Sequence, residues 1–159
     1  GVYTPGFEGP PEHYHKHSPE RFAVEAGAVT FRIDDRTERI TAGETISVDP
    51  YERHTFSVEG TELCYMIVDI ESPGQLRQVL PTLSGLAHDP DRNSDHPLQQ
   101  AAIASRLDGN TVFTDISPDL SRLLRGVLTP IARLRGYQGA YGTYMQDSFW
   151  ERYVEQPKL

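Results

Sequence analysis

Three histidines stand at alternate positions in Glu12-His13-Tyr14-His15-Lys16-His17, and Ser18-Pro19-Glu20 follows directly. In an extended strand alternate side chains share a face, so His13 with His15, or His15 with His17, can point to one centre. Glu20 can return to that centre after the Ser18-Pro19 turn. A further donor has to arrive from another strand. His54, at the head of Thr55-Phe56-Ser57-Val58 and just after a proline-containing turn, is placed to supply it. Imidazoles together with one carboxylate suit Fe(II), Mn(II), Ni(II), Cu(II) or Zn(II) and leave one or two coordination positions for water, substrate or dioxygen.

The elements that must hold these side chains are short strands. Phe22-Ala23-Val24, Val29-Thr30-Phe31-Arg32-Ile33 and Thr37-Glu38-Arg39-Ile40 alternate apolar and polar residues, and Asp34-Asp35 supplies a turn between the last two. Thr45-Ile46-Ser47-Val48, Thr55-Phe56-Ser57-Val58 and the apolar run from Leu63 to Ile70 continue the pattern. Gly43, Pro50 and Glu59-Gly60 punctuate them. Many short strands bounded by turn residues predict a sandwich or barrel.

From Ser72 the period becomes helical. Leu76, Val79, Leu80, Leu83 and Leu86 mark one helix interrupted by Pro81, and Pro97 to Leu107 a second. Ser117-Pro118 opens a third, whose leucine face (Leu120, Leu123, Leu124, Val127, Leu128, Ile131 and Leu134) is expected to be buried, with Arg122, Arg125, Arg133 and Arg135 opposite. Pro130 is expected to kink it and Gly136 to cap it. The aromatic tail from Tyr137 to Phe149-Trp150 reads as an irregular strap. The acidic run from His88 to His96 alternates like a calcium loop, but Ser94 and Gln100 stand where such a loop needs glycine and glutamate, so it reads as a solvated connection.

A chain of 159 residues has room for one domain with an appendage and none for two independent catalytic domains. Its net charge of −8 repels a phosphate backbone, which argues against a nucleic-acid partner. No stretch has the roughly 20 apolar residues that span a bilayer, so no membrane partner is expected. The lone cysteine, Cys64, cannot form an internal disulfide and fits a reducing, cytoplasmic location. The chain begins at Gly1 without a methionine.

The segment from His13 to Gly27 resembles the first motif of the cupin superfamily. That motif has two histidines separated by one residue, then a glutamate, then a glycine, and here four residues separate His15 from Glu20 and six separate Glu20 from Gly27. The stretch from Gly43 to His54 is similar to the second motif, and it departs from the family at Asp49 (usually proline), Tyr51 (glycine) and, just beyond, Val58 (often asparagine). The likeness covers about residues 8–71 and is to the cupin-2-like conserved barrels.

The resemblance selects His13 and His15 over His17, and it implies a metal site of His13, His15, Glu20 and His54. It implies a mainly β fold, a double-stranded β-helix or jelly-roll barrel over residues 1–71, followed by a helical C-terminal extension over 72–159 that packs on the barrel or on a second subunit. A cupin usually has a strand or more before its first histidine. Only 12 residues precede His13 here, so the N-terminus is expected to be truncated or the sheet to be completed by another segment. The expected activity is that of a metal-dependent enzyme, dioxygenase-like, an oxidoreductase acting on a small organic molecule in the cup. Glu20 is the candidate base, and Phe22, Phe31, Phe56 and Tyr65 are the candidate substrate-binding residues, within a wider lining that also takes in Ile67. The other readings are a non-catalytic binding or sensing cupin and a metal-assisted isomerase or epimerase. A homodimer from a bacterial or archaeal source is the default expectation.

Overall fold

The computed structural model describes residues 1–107, 109–115 and 117–154, with the backbone alone at 118, 120 and 123–125. In chain order the strands are β1 (Val2–Tyr3), β2 (His13–His15), β3 (Glu20–Ala26), β4 (Ala28–Ile33), β5 (Arg36–Thr41), β6 (Thr45–Val48), β7 (His54–Val58) and β8 (Cys64–Ile70). Helices α1 (Leu76–His88) and α2 (Pro97–Leu107) follow, then β9 (Thr111–Phe113), α3 (Pro118–Leu134), a 3₁₀ turn over Gly142–Met145 and α4 (Asp147–Tyr153). Among the described residues no helix is long and apolar enough to cross a membrane.

The strands build two antiparallel sheets, one in the order β1-β8-β3-β6 and one in the order β5-β4-β7-β2-β9. Their inward residues make one core: Phe22 and Val24 from β3, Val29, Phe31 and Ile33 from β4, Ile46 and Val48 from β6, Val58 from β7, and Cys64 and Met66 from β8. Alternation therefore does what the sequence predicts, putting one face of each strand into an apolar interior, and the mainly β barrel is present. β1 lies within the 12 residues before His13, pairing Val2 with Tyr65 and Tyr3 with Cys64.

Gly27, at the β3–β4 connection, has φ of 83°, and a Cβ there would meet Leu63 O and Cys64 Cα at 2.9 Å. Only glycine meets both conditions. Tyr51, where the family has glycine, keeps the left-handed conformation with φ of 72°, and its N–H donates to the His15 carbonyl at 2.8 Å. The departure at Tyr51 thus leaves the turn before His54 in place.

The expected division after residue 71 needs correction. The chain forms one unit from Gly1–Pro73 together with Gly109–Ile116, and a second from Gly74–Asp108 with Ser117–Leu159. β9 is the reason. It pairs with β2 in the register His13↔Phe113, Tyr14↔Val112 and His15↔Thr111, covering an edge that β7 leaves open on the other side.

In the helical unit α1 buries Leu76, Val79, Thr82, Gly85 and Leu86, and α2 buries Gln99, Ala101, Ala102, Ile103 and Leu107. α1 and α3 run through their expected breaks, Pro81 and Pro130. Of the leucine face expected of α3, Val127, Ile131 and Leu134 are exposed and Leu128 is half-buried among the described side chains, while Thr129 and Ala132 beside them are buried. The side chains of Leu120, Leu123, Leu124 and Arg125 lie outside the described residues. The aromatic tail forms the 3₁₀ turn and α4 rather than an irregular strap, with Tyr141, Tyr144 and Phe149 buried. The Tyr141 hydroxyl donates to Gln99 at 2.8 Å, and that of Tyr144 to Asp89 at 2.7 Å.

Candidate metal centre

His13 and His15 are buried while Tyr14 between them is half-buried, as alternation along β2 requires. His54 is the direct partner of His13 across the β2–β7 ladder. Glu20 opens β3 opposite Val48 and Ile70. The turn between β2 and β3 is pinned at Ser18, whose hydroxyl donates to the Ser72 carbonyl at 2.9 Å and accepts from Asn110 Nδ2 at 2.8 Å. His17 is exposed, and its backbone N–H donates to Asn110 Oδ1.

The three remaining histidines converge. One ring nitrogen from each of His13, His15 and His54 lies within 4.8 Å of the other two. The Glu20 carboxylate reaches into the cluster, with Oε1 at 3.4 Å from His15 Nε2 and Oε2 at 2.9 Å from His54 Nε2. His15 and His54 are each 2% exposed, Glu20 7% and His13 8%.

The other ring nitrogens are tied down. His13 Nδ1 lies 2.8 Å from the Pro11 carbonyl oxygen, and His54 Nδ1 lies 3.0 Å from that of Glu52. A carbonyl only accepts, so both Nδ1 atoms carry the proton and both Nε2 atoms present lone pairs in the neutral rings. His15 Nδ1 lies 3.0 Å from the Thr111 hydroxyl on β9. This is how proteins orient histidines that ligate metals.

His54 Nε2 is buried and has no hydrogen-bond partner, although it sits 2.9 Å from Glu20 Oε2. In the neutral ring, two acceptors therefore face each other, and a cation between them, a proton or a metal ion, removes the repulsion. Protonation follows the same logic. Burial alone would raise the Glu20 carboxyl, but its contacts with His15 and His54 outweigh burial and hold it at about 2. Burial alone would lower His54, but Glu20 and the Glu52 carbonyl and charge together outweigh it and raise the ring above the ordinary histidine value. His13 is driven down to about 4, first by burial and then by the neighbouring His54. An ionised carboxylate, a neutral imidazole and an orphaned buried nitrogen are a donor set that fits a divalent transition metal.

The candidate substrate-binding residues divide. Phe22 is buried with its ring 6.4 Å from that of His54, and Phe56 is half-buried against Tyr3, Phe7, Phe22 and Phe31. Phe31 is fully buried in the core against Phe22. Tyr65 does not line the interior. Cys64 and Met66 of β8 point inward, which turns Tyr65 and the half-exposed Ile67 to the outer face. Sequence reasoning also missed the walls of the cluster: Ile33 directly opposite His54, Val48 opposite Glu20, and Phe113 with its ring 5.8 Å from His13. Of these, Phe113 and Thr111 had a signal in Thr111-Val112-Phe113-Thr114, a β-branched and aromatic run just after Gly109.

Comparison with known proteins points the same way for the barrel. A family model described as a cupin domain matches residues 2–70. No curated protein matches the chain. Among solved structures, the chain is similar to KdgF from a Halomonas species at 15% identity, covering 42% of this chain and 60% of that one with a TM-score of 0.39. It is similar to a cupin-superfamily sugar phosphate isomerase from Silicibacter pomeroyi at 23% identity, covering 42% and 44% with a TM-score of 0.39. A cupin protein from Bacteroides fragilis matches at 21% identity, covering 43% and 59% with a TM-score of 0.38. The match spans less than two thirds of each of these structures, and at such TM-scores it assigns neither activity nor ligand.

Proposed function

With residues 2–70 a cupin domain, we propose that this protein binds a divalent transition metal through His13, His15, His54 and Glu20 and uses it for dioxygenase-like chemistry on a small organic molecule. The observation that carries the proposal is the orphaned Nε2 of His54, aimed at an ionised carboxylate inside a cluster of three histidines. When bound, the ion supplies Lewis acidity and, if it is redox-active, access to dioxygen.

The chain's own residues do the rest. The Pro11 and Glu52 carbonyls and the Thr111 hydroxyl fix the three rings. Phe22, Ile33, Val48 and Phe113 surround the cluster with apolar surface, which excludes water and strengthens each electrostatic contact inside. Glu20 would act as the base only on leaving the metal and its contacts with His15 and His54, which hold it as a weakly basic carboxylate while they last.

The test is to load the protein, purified without a histidine tag, with Fe(II), Mn(II), Ni(II), Cu(II) and Zn(II) in turn. Bound metal is then counted, and oxygen uptake is followed with a panel of small organic acids and diols. One metal per chain, lost in His15→Ala, with uptake confined to a redox-active metal, is the expected result. Failure to bind any of the five ions ends the metal proposal. A non-catalytic binding role is the second reading, and what supports it is the low exposure of the four side chains. Metal binding and tight retention of a small molecule without turnover, under oxygen, would favour it, whereas turnover without oxygen would favour an isomerase or epimerase.

We extend the proposal to a homodimer formed through the four-stranded sheet. Its support is the outward stripe of Val2 and Tyr65, which pair directly, with the half-exposed Ile67 beyond them. Light scattering on the wild type and on Ile67→Asp tests it, and a monomeric wild type rejects it.

A further inference from the structure

The helical unit has a cleft of its own, about 500 Å³ in volume, which shares no residue with the histidine cluster. Three side chains define its chemistry: Arg106 from α2, and Thr129 and Arg133 from α3. Its lining holds two cations and no carboxylate, in a chain that carries 23 acidic residues against 15 basic ones. Among the described residues neither arginine has an ion-pair partner, and Arg106 instead donates to the Gln78 side chain.

Thr129 supplies the independent sign. It is 8% exposed, it lines the cleft, and its hydroxyl has no hydrogen-bond partner. A buried hydroxyl left unpaired is costly, which makes an unmatched group at a cleft wall a mark of something meant to meet it. Gly139 shapes the same wall. A Cβ at this position would run into the Ala102 carbonyl oxygen and lie 2.7 Å from Arg106 Cβ, so glycine alone lets the segment before the 3₁₀ turn rest on α2 beside Arg106.

We propose that this cleft binds a small organic anion by its carboxylate or phosphate group, with Arg106 and Arg133 as the charged donors and the Thr129 hydroxyl as the buried one. A planar guanidinium offers paired N–H donors that match either oxyanion, and the volume suits a metabolite-sized molecule rather than a chain. The absence of a carboxylate from the lining excludes a cationic ligand on the same grounds.

The test is a calorimetric and NMR titration of the full chain with succinate, with glycerol phosphate and, as a cationic control, with choline. Saturable binding of either anion and none of choline is expected, and the tighter of the two identifies the oxyanion. Arg106→Gln and Arg133→Gln should each weaken that binding about tenfold or more. Thr129→Val should weaken it by a smaller factor while leaving the melting temperature unchanged or higher, because the hydroxyl it removes bonds to nothing in the free protein. The melting temperature of each variant separates loss of a contact from loss of the fold. Absence of saturable binding of both anions at millimolar concentration overturns the proposal. So does binding that survives all three substitutions, or equal binding of choline.

Discussion

The hydroxyl of Thr111 lies 3.0 Å from Nδ1 of His15, although the two stand 96 positions apart in the chain. That contact fixes the plane of a ring whose other nitrogen faces Glu20. Thr111→Val keeps the shape and the β-branching and removes only the oxygen. Metal affinity should fall about 10- to 100-fold, the usual consequence of removing a group that orients a ligand. Competition against a chromophoric chelator measures it, and an unchanged affinity would mean that the strand ladder alone holds the ring.

Metal that binds the folded chain and not the unfolded one must stabilise the fold. At a free Zn(II) concentration 100 times the dissociation constant the gain is about 2.7 kcal/mol, which calorimetry will read as a rise of several degrees. The rise should vanish on chelation. It should be absent in His54→Ala, since that change removes the orphaned Nε2. An equal rise in His54→Ala would place the metal elsewhere.

Two backbone positions with the same conformation should respond with opposite sign. Gly27→Ala meets both a positive φ and a contact at 2.9 Å, so a loss of about 2 kcal/mol or more is expected in denaturant unfolding. Tyr51 also has positive φ but is 61% exposed. Tyr51→Gly removes strain of about 1–2 kcal/mol and gives part of it back through the freer unfolded chain, a net gain of up to about 1 kcal/mol. A loss at Tyr51 would show that its ring contact with Tyr14 outweighs the strain.

Cys64 should be silent in the native protein. It is fully buried in β8, and burial pushes its thiol up from the ordinary value, so the thiolate is scarce at pH 8. Iodoacetamide should label it only after unfolding, as read by mass spectrometry. Labelling of the native chain within minutes would reveal that β8 opens readily.

Phe31 and Tyr65 should separate core from surface. Phe31→Ala is expected to cost about 3–5 kcal/mol. Tyr65→Ala, on the outer face, should cost about 1 kcal/mol or less in a monomeric state. Denaturant unfolding at low protein concentration distinguishes them, and comparable losses would put Tyr65 back among interior residues.

How much of this could be read from the residues depends on how clean their pattern was. Alternation made the histidine face legible but left His13 and His15 level with His15 and His17. The resemblance to the two cupin motifs chose the first pair and pointed to Glu20 and His54, and the structure brings the four together. Tyr65 was not legible, because Leu63 to Ile70 carries apolar residues on both faces and leaves the period-2 signal without a phase. Thr111 was hidden by length: β9 has three residues and lies between two helices, so the helical pattern around it dominated. Along α3 the leucine stripe was clear, yet Val127, Ile131 and Leu134 are exposed, since periodicity shows that a face is apolar and not what covers it.

The return of β9 to the edge of β2 sets an order of events during synthesis. His13, His15, Glu20 and His54 are all made before β8, but the strand that flanks the first two emerges only after α1 and α2 have been made. Until then the nascent β2 presents bare amides and carbonyls on one side, beside imidazoles whose third anchor has not arrived. The closure is long in sequence and therefore late in folding, so a ribosome stalled in α2 would hold a nascent chain with all four of these residues made and His15 still free to turn.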